Sequence, residues 1–268
     1  MLVENGTSLF TPQVAAELGE ALYHAEVSQR PIPPLTATYP AMTAADAYAV
    51  QQVMLAKKLA GRTILGRKVG LTSKAMQQML GVDQPDYGVL ADDMVIEDGG
   101  ECRVADLIQP KVEPEIAFIL GKDLSGPGLT AADVLAATEY VTASLEIVDS
   151  RITNWQIKLA DTIADNASSA RYVLGKVRVA PNQVDLRLVG MVMEKNGQLA
   201  DTGAGAAALG HPAEAVAWLA NKLSEFGVSL KAGEVILPGA LCRAIEVKSG
   251  DVVRAEFAGL GQVSVRFV

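Results

Sequence analysis

The segment Lys111-Val112-Glu113-Pro114-Glu115-Ile116-Ala117-Phe118 places two carboxylates two residues apart at the head of an apolar run. In an extended chain, residues i and i+2 share a face, so Glu113 and Glu115 project side by side. Carboxylates that close repel each other, and one holds its proton unless a cation lies between them. A hard divalent ion such as Mg²⁺ answers that need, because it takes carboxylate oxygens and leaves coordination positions for substrate or water. The same pair also reads as a solvated strand face, since glutamates at this spacing are common. A third carboxylate, Glu146, lies inside the apolar stretch of residues 143–148, where an ionised side chain requires a partner. With Glu113 and Glu115 it makes three oxygen ligands for one ion; the alternative is a buried salt bridge to Arg151.

Gly66-Arg67-Lys68-Val69-Gly70 sets a lysine between two glycines that let backbone approach a neighbour. A desolvated lysine there binds a carboxylate or exchanges protons, whereas a surface lysine beside a turn does neither. Asp86, in Gln84-Pro85-Asp86-Tyr87-Gly88, reads first as a turn residue and second as an acid or base. Residues 161–169 gather small polar groups, Asp165, Ser168 and Ser169 among them, suited to hydrogen-bonding an oxyanion or carboxylate. The glycines from Gly203 to Gly210 lack the spacing and the strand-to-helix context of a dinucleotide loop. Cys102 and Cys242 have no histidine beside them, and together with His24 and His211 they show no zinc spacing.

These side chains must be positioned by a chain of 268 residues with 50% hydrophobic content, enough for one large domain or a small one joined to a medium one. Lys and Arg total 23 against 31 Asp and Glu, a net charge of −8 that offers nucleic acid no basic footprint. No apolar run approaches the roughly 20 residues of a membrane span. The first ten residues lack the basic start of a secretory signal, so a soluble cytoplasmic protein is expected. Apolar spacing predicts a helix over residues 11–29 and a second from Thr43, where Thr43-x-x-Asp46 forms a capping box and Gly61 the stop. Pro31, Pro33, Pro34 and Pro40 break the chain between them. From Thr63 the texture turns to short β-like runs, with a hairpin signal at Asn196-Gly197. Helices are expected over residues 74–80, from Thr130 with Asp133 as its box partner, and over 212–226 with His211 at its start. Strands and helices do not alternate regularly, so the expected fold is α+β. It divides into a small helical N-terminal lobe (1–62) and a mixed, mostly antiparallel β core with peripheral helices (63–268).

Several of these segments, taken in order, resemble one family. They are Gly66-Arg67-Lys68-Val69-Gly70-Leu71-Thr72-Ser73, Gly81-Val82-Asp83-Gln84-Pro85-Asp86-Tyr87-Gly88, Glu113-Pro114-Glu115, Leu145-Glu146-Ile147-Val148-Asp149-Ser150-Arg151 and Ala164-Asp165-Asn166-Ala167-Ser168, followed by Gly203 to Pro212. The resemblance, over residues 40–268, is to the 2-hydroxypentadienoate hydratases and 4-oxalocrotonate decarboxylases of the fumarylacetoacetate hydrolase superfamily, which serve meta-cleavage degradation of aromatic compounds. It implies Mg²⁺ or Mn²⁺ on Glu113, Glu115 and Glu146. It also implies a small 2-hydroxydienoate or 2-oxo acid chelating the ion through its C1 carboxylate and C2 oxygen. Lys68, Asp86, Asp165 and Ser168 are then the expected catalytic residues, with Leu71 and Ser169 as substrate contacts. The ion lowers the cost of negative charge on the C2 oxygen, a proton is gained at C5, and water adds at C4 to give 4-hydroxy-2-oxopentanoate. Lys68 with Asp86 is assigned the proton transfer, and the Asp165/Ser168 region the water. Asn154-Trp155-Gln156-Ile157-Lys158 looks more like the hydratases, and Ala167-Ser168-Ser169 and Thr38-Tyr39-Pro40 more like the decarboxylases. Hydratase is favoured over decarboxylase, and a partner subunit with secondary catalysis is the third reading. A homo-oligomer and a complex with the sister decarboxylase or hydratase are expected on the same ground.

Overall fold

The computed structural model describes residues 10–73, 77, 78, 82 and 84–268, with the short paired strands Val3–Glu4 and Thr7–Ser8. The helix expected over residues 74–80 lies outside the described residues except for Gln77 and Gln78. Three helices occupy the first part of the chain: α1 (Pro12–Ser28), α2 (Leu35–Thr38) and α3 (Ala44–Lys58). Thr11 caps α1 by accepting the Val14 N–H at 3.3 Å, and Pro12 takes the first turn, where no amide is missed. The expected capping box opens α3: Thr43 N–H donates to Asp46 Oδ2 at 2.9 Å, and Asp46 N–H returns to Thr43 Oγ1 at 3.2 Å.

In the remainder, helix is outweighed by strands. In order these are β1 (Ile64–Gly70), β2 (Asp86–Ala91), β3 (Val95–Ile96), β4 (Glu101–Cys102), β5 (Lys111–Leu120), β6 (Thr138–Val148), β7 (Ser169–Leu174), β8 (Gly190–Lys195), β9 (Gln198–Ala204), β10 (Val235–Leu237), β11 (Ile245–Glu246), β12 (Val252–Phe257) and β13 (Gly261–Phe267). Helices α4 (Ala131–Ala137), α5 (Leu159–Ala164) and α6 (Pro212–Ser224) interrupt them. The larger sheet runs β2–β1–β10–β5–β6–β7–β3 with β11 beside β5, and the smaller runs β9–β8–β12–β13–β4. Only β1–β10, β3–β7 and β4–β13 pair parallel among the described residues. The core is therefore mixed and mostly antiparallel, an α+β arrangement. His211 caps α6, its Nδ1 accepting the Ala213 N–H at 3.1 Å. Strand β8 starts at Gly190 and not at Arg187, because Asp185 draws the amides of Arg187 and Leu188 into a turn.

One apolar cluster joins the parts. It holds Leu22 and Met54 of the helices, Ile116, Phe118 and Leu145 of β5 and β6, Val216 and Leu219 of α6, and Phe257 and Phe267 of the smaller sheet. Among the described residues, no helix is long and apolar enough to cross a membrane.

Candidate metal centre and active site

The long antiparallel pair β5–β6 sets Glu113 directly across from Glu146, with Glu115 across from Ser144. Register and the two-residue strand period together bring the three carboxylates to one face, and one oxygen from each lies within 4.8 Å of the others. Glu115 and Glu146 are buried and Glu113 is half-buried. Gly239 N–H donates to Glu115 Oε2 at 2.7 Å, while Lys68 Nζ stands 3.3 Å from Glu146 Oε2 and donates to the Ala167 carbonyl at 3.0 Å. Glu115 Oε1 and Glu146 Oε1 are buried with no hydrogen-bond partner.

Without a cation this cluster titrates abnormally. Burial, reinforced by the charges of Glu146 and Asp86, pushes the Glu113 carboxyl up to about 7 against the pull of Lys68. Burial followed by repulsion from Glu146 and Glu113 lifts Glu115 well above the usual carboxylate range, and burial raises Glu146 despite Lys68. Burial pulls Lys68 down, but the fields of Glu146, Asp86, Glu113 and Glu115 outweigh it, and its pKa moves up. In the cation-free site Lys68 is thus held as an ammonium. Three converging carboxylates with two orphaned buried oxygens fit a hard divalent cation, which supplies the missing charge and the missing partners.

A cavity of about 260 Å³ opens beside the cluster, lined by Lys68, Leu71, Asp86, Glu113, Trp155, Thr162 and Ser168 among others. A second, of about 510 Å³, lined also by Thr72, Gly239 and Cys242, shares Gly70, Leu71, Lys111 and Glu113 with it. Asp86 does not sit in a turn: it opens β2, and Lys68 lies on the adjoining β1, neither residue being exposed. Asp86 Oδ2 accepts from Thr162 Oγ1 at 3.0 Å. Its Oδ1 rests over the bare Cα of Gly70, where a methyl group would stand 2.2 Å from Oδ1 and 3.4 Å from Lys68 Nζ. Burial raises the Asp86 pKa against the opposing charge of Lys68.

The polar segment after α5 divides by role. The Asn166 side chain pairs with β2 as a strand would, taking the Val89 N–H at 2.8 Å and donating to the Val89 carbonyl at 3.0 Å. Asp165 faces away from the cavity: Arg151 Nε donates to Oδ1 at 2.5 Å, and Oδ2 accepts from Arg151 N–H, Ser150 and Ser168 at 3.1, 3.2 and 3.1 Å. Arg151 therefore pairs with Asp165, and Glu146 pairs with Lys68. Ser168 lines the cavity with its hydroxyl turned to Asp165. Ser169 is buried beside Glu146, whose ionised form it favours, and is absent from the cavity wall. Leu71, at φ 57°, lines both cavities. Leu71, Trp155, Ala167 and Ser168 all line the first cavity in left-handed conformation, so backbone strain gathers at the site.

Residue-by-residue reading of the sequence missed three contributors. Thr162 lay inside a segment noted only for its small polar groups, and Gly239 carried no local signal. Lys111 stands on the strand face of Glu113, two residues before it, with its ammonium 4.7 Å from the centre of the Trp155 ring.

Comparison with known proteins identifies the family. Residues 62–268 match the family described as fumarylacetoacetate (FAA) hydrolase, C-terminal. A 2-hydroxypent-2,4-dienoate hydratase of Pseudomonas putida is 55% identical over 215 residues, 80% of this chain and 97% of the relative. A 2-hydroxyhexa-2,4-dienoate hydratase of Comamonas testosteroni is 50% identical over 252 residues, 93% of this chain and 96% of the relative. Among solved structures, the 4-oxalocrotonate decarboxylase from Pseudomonas putida G7 complexed with magnesium and adipate superposes with a TM-score of 0.93 at 42% identity, covering 98% of this chain and all of that one. With a shared fold along nearly its whole length and relatives that are hydratases and a decarboxylase, the chain belongs to the fumarylacetoacetate hydrolase family.

Proposed function

We propose that the protein is a divalent-metal-dependent hydro-lyase that adds water to 2-hydroxypenta-2,4-dienoate, giving 4-hydroxy-2-oxopentanoate in meta-cleavage catabolism of aromatic compounds. The observation that carries the reading is the convergence of Glu113, Glu115 and Glu146 within 4.8 Å beside a cavity on which Lys68 and Asp86 meet. Mg²⁺, with Mn²⁺ as the alternative, would be held by these glutamates and would stabilise negative charge developing on the substrate's C2 oxygen.

Lys68 is committed to Glu146 and the Ala167 carbonyl, so it acts as a fixed cation orienting the ligand set. Asp86 has one oxygen held by Thr162 and its pKa raised by burial, which suits a group that holds a proton and returns it. In this scheme the enol loses its O–H proton, C5 gains one at the Asp86 end of the cavity, and water then adds its hydroxyl at C4 and a proton at C3. Leu71, Val148, Trp155 and Ile157 give the cavity an apolar wall suited to an uncharged vinyl tail. Asp165, through Arg151, holds the wall on which Ser168 lies, and Ser169 supports Glu146.

Decarboxylation of 4-oxalocrotonate is the second reading. It is favoured by Lys111, a cation on both cavities that a second substrate carboxylate would meet. We also propose that residues 1–62 form a lobe on the catalytic domain 63–268. The same proposal takes the protein to work in the cytoplasm as a homo-oligomer able to associate with its sister enzyme. Paired turnover of 2-hydroxypenta-2,4-dienoate and 4-oxalocrotonate with Mg²⁺, products identified by NMR, tests the assignment. The hydratase yields 4-hydroxy-2-oxopentanoate from the first and little CO₂ from the second; the reverse pattern makes it the decarboxylase.

A further inference from the structure

Asp86 is held from behind by groups that trace back to the N-terminal helices. Thr162 Oγ1, on α5, donates to Asp86 Oδ2 at 3.0 Å. The residue before it, Asp161, is fully buried and grips the lobe: Thr36 donates to Oδ1 through its N–H at 3.0 Å and to Oδ2 through its hydroxyl at 2.7 Å. Gln51 of α3, also buried, donates from one amide nitrogen to two carbonyls, Tyr87 and Ile163, each at 2.9 Å. Tyr87 follows Asp86, and Ile163 follows Thr162. One glutamine of the lobe therefore ties together the two backbone positions next to the Asp86–Thr162 hydrogen bond. A second fastening, Thr36–Asp161, holds α5 from its other side. On the far side of the carboxylate, Gly70 leaves the space in which Oδ1 rests.

We propose that the helical lobe is part of the catalytic apparatus, with Gln51, Thr36–Asp161 and Thr162 acting as positioning residues that fix Asp86 with Oδ2 occupied and Oδ1 at the cavity. The inference rests on the proposed proton-carrying role of Asp86. A carboxylate held by one hydrogen bond turns freely unless the donor itself is fixed. A six-residue helix such as α5 gives little rigidity of its own, and two buried polar ties from the lobe supply it. The lobe helices lie outside the segment matched to the family model, residues 62–268, yet the likeness to the hydratase and to the decarboxylase structure runs over 93% and 98% of this chain and so takes in the lobe.

The test is steady-state kinetics of the full-length, metal-loaded enzyme on 2-hydroxypenta-2,4-dienoate, with Mn²⁺ affinity and melting temperature measured for each variant. Thr162→Val is expected to lower kcat by about tenfold to a hundredfold with KM within about twofold, because misplacing a proton carrier affects the transition state more than binding. Thr162→Ser, which keeps the hydroxyl, is expected to recover kcat to within about threefold of wild type. Gln51→Met and Thr36→Val should show smaller losses with the same split between kcat and KM, and Mn²⁺ affinity should stay unchanged in all four. Wild-type kcat in Thr162→Val overturns the proposal, as does a Thr162→Ser variant no better than the valine. Asp86→Asn separates the two levels. If it turns over normally, the proton-carrying role falls and the positioning role with it; if it is inactive while Thr162→Val is normal, the positioning role alone falls.

Discussion

Glu146 has no access to water and a lysine at one oxygen, and its remaining oxygen is unpartnered. Glu146→Gln keeps the shape and removes the charge, so Mn²⁺ affinity measured by calorimetric titration is expected to fall by a factor of at least about 10–100. Gly239 is equally restricted: its φ of 114° disfavours any side chain, and a methyl group would meet Thr72 Oγ1 at 1.9 Å. Gly239→Ala therefore displaces the amide that holds Glu115, and the same titration should show weakened metal binding with the fold retained by circular dichroism. The glutamates were legible in the sequence because their signals are local: two carboxylates at strand spacing, and a charge inside an apolar run. The contacts of Thr162 with Asp86 and of Gly239 with Glu115 were not, since they span 76 and 124 residues and exist only once the sheet has assembled. The partners of Asp165 were hidden for a related reason, since Arg151, Ser150 and Ser168 meet its carboxylate only in the folded chain. A buried aspartate on a wall segment looks the same in sequence whether it faces substrate or an arginine behind the wall.

Among the elements, the segment linking α5 to β7 bears the most constraint, with three successive left-handed residues at Asn166, Ala167 and Ser168. Its anchor is Arg151, whose guanidinium donates to the Asp165 carboxylate and carbonyl and to the carbonyls of Asp149 and Ser169. Arg151→Met leaves the Asp165 charge buried without its partner, and about 3–5 kcal/mol of unfolding free energy should be lost in urea titrations. Helix boundaries were readable to within a residue or two at Thr11, Thr43, Thr130 and His211, where a side chain caps the first turn. Strand ends were less so: β1 continues through Lys68 to Gly70 because β2 and β10 flank it on both sides, and that pairing is not written in the segment itself.

At the scale of the whole molecule, the shared core couples metal binding to stability. In the metal-free protein the Glu113 pKa lies above its ordinary 4.5, at about 7, and Glu115 and Glu146 are raised as well. The native state then binds more protons than the unfolded chain across that interval. The associated stability is fully present below the ordinary value and is lost as pH rises through about 7. Metal-free protein should accordingly melt at a higher temperature at pH 5.5 than at pH 8, read by calorimetry at ~0.1 M salt. A bound cation displaces those protons. At pH 8, Mn²⁺ at about a hundred times its Kd should stabilise the fold by about 2.7 kcal/mol, and a chelator should reverse the gain.

The Gly239 amide and the Lys68 ammonium also restrict how the two buried glutamates can turn. Each stands at one oxygen of a buried glutamate, and the opposite oxygens, Glu115 Oε1 and Glu146 Oε1, have no hydrogen-bond partner. Three carboxylates supply fewer donors than a hard divalent ion takes, so substrate or water would complete its shell. The amide and the ammonium that hold the ligands in place thereby fix which carboxylate edges face the cluster, and both contacts come from segments outside the β5–β6 pair.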